Sequence, residues 1–309
     1  MDSQFAIVLG ILLGSTIRYS VPILYAALGG LITEKAGVLN FALEGLMLAG
    51  AFFAYYGNLV TGSILVGVLC ALAIGALTGL ALSISILKYK ASQLVMGIGI
   101  NIFYLGLTGY FFRIIGSSGA NTMVDNMLGD IPIPILSSIP FLGILFQQNI
   151  LVYLLVALVL VMAYFLNRTT TGLNVKAVGE NPYAAAAVGI DVIKNRTFAI
   201  VGGSMLAALG GGVMTLTMAR VFLENMVNGR GWIAFSAIIL GRYSSVGVLV
   251  GCLVFGAATA VSDIVQIVGI DIPYQAALMV PYIITIIALV ITVGGGNAPA
   301  ALGGRYDKE

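Results

Sequence analysis

Glu44 stands at the start of a long uncharged stretch, since residues 45–87 contain no Asp, Glu, Lys or Arg. A carboxylate beside so apolar a run is costly at membrane depth and is usually paired or turned to a water-filled path. Asn40 lies four residues earlier, which on a helix is the same face, and Gly37 permits a backbone break before both. Two readings follow. Either a broken helix presents Asn40 and Glu44 to a polar path or an ion pair, or Glu44 lies near a surface and caps or pairs locally. Asn101, alone among apolar neighbours, suits either the same path or a hydrogen bond between helices. Trp232 and Phe235 offer flat faces to a ring-shaped solute, or anchor a membrane interface. Asp263 and Gln266 form a further polar pair, with Asp263 reaching for the outer surface, and Glu34 and Lys35 read as ordinary interface charges.

A second group of residues carries a docking signal. In Gly179-Glu180-Asn181-Pro182-Tyr183-Ala184-Ala185-Ala186-Ala187-Val188-Gly189, both ends of a short helix are marked. Asn181 is a good N-cap, Pro182 fits the first helical position, four alanines propagate, and Gly189 fits just past the end. Glu180 adds negative charge near the helix N-terminus. A short, rigid, exposed helix with a smooth alanine surface suits a groove on a cytoplasmic partner; a plain connector between spans is the alternative.

Several chemistries are excluded. There is no histidine, which removes His-based metal sites, Ser/His/Asp catalysis and a histidine proton switch. Cys70 and Cys252 lie inside apolar runs and read as small core residues. No GxxxxGK[ST] is present, so the chain has no nucleotide-binding P-loop of its own. A net charge of +2 implies no strong attraction to nucleic acid. No catalytic constellation, metal site or cofactor site emerges, and the chain does not read as an enzyme.

The elements that position these residues follow from composition. Of 309 residues, 60% are hydrophobic and 8% charged, against about 45–50% and about 25% in soluble domains. So much apolar side chain needs lipid as its solvent. The apolar runs are continuous rather than alternating, so the expected fold is an all-α, polytopic transmembrane bundle, one transmembrane domain over 1–309. About nine crossings are expected, within a range of roughly eight to ten. Charge gaps place them near 5–31, 40–57, 62–87, 94–112, 149–167, 195–217, 231–242, 246–268 and 273–293. Arg18 and Pro22 predict a break or kink in the first. The 231–242 segment is short enough to be a re-entrant half-helix. With the C-terminus inside, inner loops and tail hold 10 of the 14 basic residues, leaving Arg113, Arg220 and Arg230 outside and Arg18 in the membrane. An outer loop, 113–148, carries an apolar stretch at Phe141–Phe146 that suits the interface. Residues 294–309 read as a flexible tail with no core to join. Gly67, Ala71, Gly75 and Gly79 stack on one helical face, as do Gly203, Ala207 and Gly211, for close packing in lipid.

The stretch from Leu28 to Ala51, containing Glu34-Lys35-Ala36-Gly37-Val38-Leu39-Asn40-Phe41-Ala42-Leu43-Glu44-Gly45, resembles the ABC-importer permeases that serve nucleosides and simple sugars. So does Gly172–Ile190, above all Ala177-Val178-Gly179-Glu180-Asn181-Pro182. The first motif is similar to the nucleoside branch, where Glu-Arg-Ala-Gly-Val-Val-Asn-Ile-Gly-Leu-Glu-Gly is usual; Lys35, Leu39 and Phe41-Ala42 depart from it. The resemblance implies a multi-pass permease of the plasma membrane, paired with a second, related permease. It implies a cytoplasmic ATPase that holds ATP and Mg on its own chain and docks on the short inner helices, and an extracellular or lipid-anchored binding protein. Nucleosides are the implied solute, with simple sugars or riboflavin as alternatives in the same class. The rival from another class is a secondary transporter driven by an ion gradient through Glu44 and Asp263.

Overall fold

The computed structural model describes residues 2–117, 123–132, 134, 143–267, 279–280, 282–284, 286–287, 290 and 298–306. Helix α1 (Asp2–Lys35) is followed by α2 (Leu43–Thr61), α3 (Ile64–Ser83, prolonged by a π-turn at Ile84–Lys88) and α4 (Gln93–Ser117). A short antiparallel ribbon pairs β1 (Asp130–Pro132) with β2 (Gln147–Asn149), Asp130 opposite Asn149. Then come α5 (Ile150–Arg168), α6 (Thr170–Glu180), α7 (Pro182–Ala187), α8 (Val192–Val213, prolonged by a π-turn at Met214–Met218), α9 (Arg230–Leu240) and α10 (Ser245–Ile267). Among the described residues, six helices are long and apolar enough to cross a membrane. The chain is an all-α, multi-pass membrane protein. The crossing expected at 273–293 lies largely outside the described residues.

Local chemistry sets the helix starts. Asn149 Oδ1 accepts from the amides of Leu151 and Val152 to open α5. Thr169 Oγ1 accepts from Gly172 N to open α6, and Asp191 Oδ1 from Lys194 N to open α8. Gly62, at φ +66°, ends α2 in the left-handed conformation that glycine tolerates.

Helix α8 runs through the centre and packs on α1, α2 and α3. Its glycines make this possible. A Cβ on Gly203 would collide with the Gly29 carbonyl, and one on Gly211 with the Met47 carbonyl. The stripe on α3 meets α8 likewise: a Cβ on Gly75 would sit 2.7 Å from Ser204 O, and one on Gly79 2.9 Å from Val201 Cα. Lipid tails are as apolar as leucine, so such close approach and interhelical hydrogen bonds hold the bundle instead of apolar burial. Tyr25 Oη donates to Leu151 O at 2.8 Å, Ser20 Oγ to Cys252 O at 3.0 Å and Thr215 Oγ1 to Ala51 O at 3.0 Å. Both cysteines are free, Cys252 buried and Cys70 half-buried. At the periphery, α3 and α4 expose Leu65, Leu69, Leu77, Ile98, Ile102 and Leu105.

The end of α1 at Lys35 marks one face of the bundle. Lys35 Nζ lies 5.7 Å from the Tyr243 ring in the α9–α10 turn, and Leu39 N donates to Gln93 Oε1 at the start of α4. Helices α6 and α7 and residues 298–306 share this face, as the Gly179 backbone against Lys35 requires.

Three expectations need correction. Helix α1 is continuous through Pro22, so no break divides it there. Glu34 is fully buried rather than an interface charge. No correction falls on the apolar stretch Phe141–Phe146: Gly143–Phe146 is a 3₁₀ turn, and 141–142 lie outside the described residues. The tail is not without a core to join: residues 298–306 are hydrogen-bonded to Gly37, Gly179 and Arg196, while 294–297 and 307–309 lie outside the described residues.

Candidate functional site

Two broken-helix ends meet beside α4. After α1 the chain turns at Gly37, φ +83°, and α2 begins only at Leu43. Asn40 therefore does not share a helical face with Glu44, because it precedes the helix. Its side chain folds back instead, Oδ1 accepting from Ala42 N at 3.1 Å, while its buried Nδ2 has no hydrogen-bond partner among the described residues. Asn101 closes the same turn from α4: Oδ1 accepts from Gly45 N at 2.7 Å and Nδ2 donates to Phe41 O at 2.9 Å. One amide side chain thus satisfies both a donor and an acceptor that the interrupted backbone leaves open.

Glu44 reaches the other break. Gly229 N donates to Oε1 at 2.7 Å and Gly231 N to Oε2 at 2.7 Å. The carboxylate therefore caps α9, whose N-terminal amides and dipole favour negative charge. It is a cap, but to a helix far along the chain and not a local one. Gly229, at φ +85°, makes the turn, and a Cβ on Gly231 would collide with the Glu44 backbone. Arg230 completes the cluster, its Nη1 donating to Met226 O at 2.9 Å and Val227 O at 3.2 Å. Arg230, expected on the outer side, is half-buried beside Glu44 at the start of α9. At 11 residues α9 spans roughly 16 Å. It is a half-helix that runs from Glu44 to the Lys35 face, and 219–229 reach it without helix.

The rings sit as a pair of different kinds. Phe235 stacks on Phe41 with centroids 5.3 Å apart, tying α9 to the turn before α2. Trp232 is 44% exposed on the same open side of α9. Asp263 is held by Tyr19, whose hydroxyl donates to its Oδ2; the side chain of Gln266 lies outside the described residues. Glu224 and Arg113 form an exposed ion pair at 2.8 Å, and the guanidinium holds the Glu224 carboxyl below the usual carboxylate range. Sequence reasoning missed Gly229 and Gly231 as the partners of Glu44. The signal was present in Gly229-Arg230-Gly231 before a short apolar run, but nothing local says which carboxylate the amides meet.

The docking segment folds as its end signals predict. Asn181 Oδ1 accepts from Ala184 N at 3.0 Å, Pro182 opens α7, and Gly189 follows it at φ +86°. Its alanine surface is not uniformly open. Tyr183, Ala184 and Ala187 are exposed, but Ala185 is buried with Val178 and Val192. One turn of helix cannot expose all its residues when it lies on α6 and α8. Gly179 packs against the Lys35 carbonyl, where a Cβ would collide.

The described residues thus form a multi-pass bundle with a half-helix, α9, packed on α1, α2 and α10, and a short capped helix, α7, on one face. The chain belongs to the family described as "Branched-chain amino acid transport system / permease component", which matches residues 12–289. It is similar to the guanosine ABC transporter permease protein NupQ of Bacillus subtilis, at 35% identity over 97% of this chain and 98% of the relative. It is 31% identical to the nucleoside ABC transporter permease protein NupC of Lactococcus lactis, over 97% of this chain and 98% of the relative. A second guanosine ABC transporter permease protein of Bacillus subtilis, NupP, is 25% identical over 90% of this chain and 79% of that one. No solved structure matches the chain. It is an ABC transporter permease subunit and not an enzyme.

Proposed function

We propose that this chain is the transmembrane subunit of an ATP-driven importer for nucleosides, a single domain over 1–309 with about nine crossings. The observation that carries the solute class is the match to NupQ and NupC along nearly the whole length of both partners. A second, related permease completes the path; Bacillus subtilis has two guanosine permease chains similar to this one. ATP and Mg are held by a separate cytoplasmic ATPase, a lipoprotein or extracellular binding protein delivers the solute, and the chain itself needs no cofactor. The Lys35 face, with α6, α7 and the C-terminus, is cytoplasmic. The ATPase seats on α7 through Tyr183, Ala184 and Ala187, beside Gly179, Glu180, Asn181 and Gly189.

In this reading Trp232 and Phe235 line the path and offer faces to a nucleobase. Asn40, Glu44 and Asn101 hold the two broken ends that frame it. ATP-driven movement of α7 opens the path to one side and then the other. A simple sugar or riboflavin would use the same scaffold. Ion coupling through Glu44 and Asp263 is disfavoured, since both carboxylates are engaged, one by amides and one by Tyr19.

Reconstitution with the co-encoded ATPase, second permease and binding protein tests the reading. Guanosine uptake driven by ATP and unaffected by collapse of a proton gradient is expected. Uptake driven by the gradient without ATP overturns it, and ribose or riboflavin in place of guanosine would change the solute alone.

A further inference from the structure

The C-terminal segment is built into the junction between the docking helix and the broken end of α1. Ala301 N donates to Gly179 O at 3.0 Å, and Gly303 N donates to Gly37 O at 3.0 Å. Ala300 N donates to Glu180 Oε2 at 3.2 Å. Arg196, 2% exposed on α8, donates from Nη1 to Gly304 O at 3.2 Å and from Nε to Ala36 O at 3.1 Å. Gly303 and Gly37, which bond to each other, both have positive φ, +74° and +83°. The Tyr306 ring lies 5.3 Å from that of Tyr183 on α7 and packs on the cluster of Val178, Ala185 and Val192.

Gly179 and Gly37 approach each other closely, but the hydrogen bonds to both carbonyls come from the tail. Three residues beyond Gly179 the docking helix begins. Three residues beyond Gly37 is Asn40, and Glu44, which holds α9, follows. We propose that residues 298–306 are a coupling strap: they bind the base of α7 to the α1–α2 break, so that movement of α7 is passed to the ends that hold the half-helix. Gly303, Gly37 and Gly179 are positioning residues in this linkage, and Tyr306 fixes the strap against α7. A coupling path requires an element that both sites bias, and this segment is hydrogen-bonded to both. The proposal rests on the importer reading above.

The test uses the complete reconstituted complex, with guanosine as the probe. It measures complex recovered, ATP hydrolysed and guanosine taken up. Gly303→Val places a branched side chain at positive φ, where a Cβ would lie 3.0 Å from the far end of Leu39. Gly303→Asn keeps the left-handed turn within reach. Deletion of 298–309 removes the strap outright. The expected result is that Gly303→Val and the deletion assemble and hydrolyse ATP, but guanosine moved per ATP falls by about tenfold, within the usual range for coupling between sites. Gly303→Asn recovers most of the ratio. An unchanged ratio in both disruptive forms overturns the strap. So does a loss of uptake and hydrolysis in step with lost complex, which marks a purely structural tail. If ATP drives no uptake in the unaltered complex, the importer reading itself fails and the strap with it; uptake that is ATP-driven but indifferent to the strap leaves that reading standing.

Discussion

The backbone N–H of Gly231 donates to Oε2 of Glu44 at 2.7 Å, across 187 positions of sequence. With Gly229 on the other oxygen, one carboxylate holds the entry of a half-helix packed on α1, α2 and α10. A buried helix end must find acceptors for its first amides, and in lipid there is no water to serve. Glu44 is thus explained by the backbone it satisfies before any solute is considered.

Replacement of Glu44 should be graded by what it strands. Glu44→Gln removes the charge and one acceptor, at a cost of about 1–2 kcal/mol. Glu44→Leu leaves both amides open and costs about 2–4 kcal/mol. Thermal unfolding in detergent should rank wild type above Gln above Leu, with uptake in the same order. Equal stability of the three would show that the amides are satisfied some other way.

Asn101 makes one bond as acceptor and one as donor, so its substitutions separate the two. Asn101→Asp keeps the acceptor for Gly45 but loses the donor to Phe41 O and brings a second carboxylate near Glu44. It should be no more stable than Asn101→Ala, which costs about 1–2 kcal/mol. A combined Asn101→Ala and Glu44→Gln variant should deviate from additivity, because the turn before α2 supports both.

On α7 the exposed and buried alanines should behave oppositely. Ala184→Trp and Ala187→Trp touch open surface and should leave the folded permease within about 0.5 kcal/mol, yet lower recovery of the ATPase on co-purification. Ala185→Trp overpacks the contact with Val178 and Val192 and should cost about 1–3 kcal/mol. Normal ATPase recovery and uptake in both exposed variants would remove α7 from the docking surface.

Sidedness is open to a labelling experiment. With Cys70 and Cys252 replaced, Tyr89→Cys and Val188→Cys, 71% and 77% exposed at their positions, should resist an impermeant thiol reagent on intact cells. Val60→Cys, at the far end of α2 and 65% exposed in the native residue, should react. Reaction at Tyr89→Cys and Val188→Cys, with protection of Val60→Cys, would invert the orientation.

The sequence by itself determined the solvent, the helical class and most spans, because charge gaps and apolar length are one-dimensional properties of a chain in lipid. It also determined α7 with both its ends, since Asn181, Pro182 and Gly189 act within a few residues of one another. Gly37 marked the break after α1, and the glycine stripes on α3 and α8 marked close packing. What only the tertiary structure decided is how the interrupted ends are satisfied. Asn40 was placed on a helical face that does not exist, because the start of α2 is set by Asn101 on another helix. Glu44 was left between path and cap, because its partners lie on a half-helix of remote sequence. Ala185 turned inward and the tail joined the core because α6, α8 and the α1–α2 break meet there. A hydrogen bond between remote backbone groups leaves no period in the sequence, so residues that serve such bonds are visible as unusual long before their partners are.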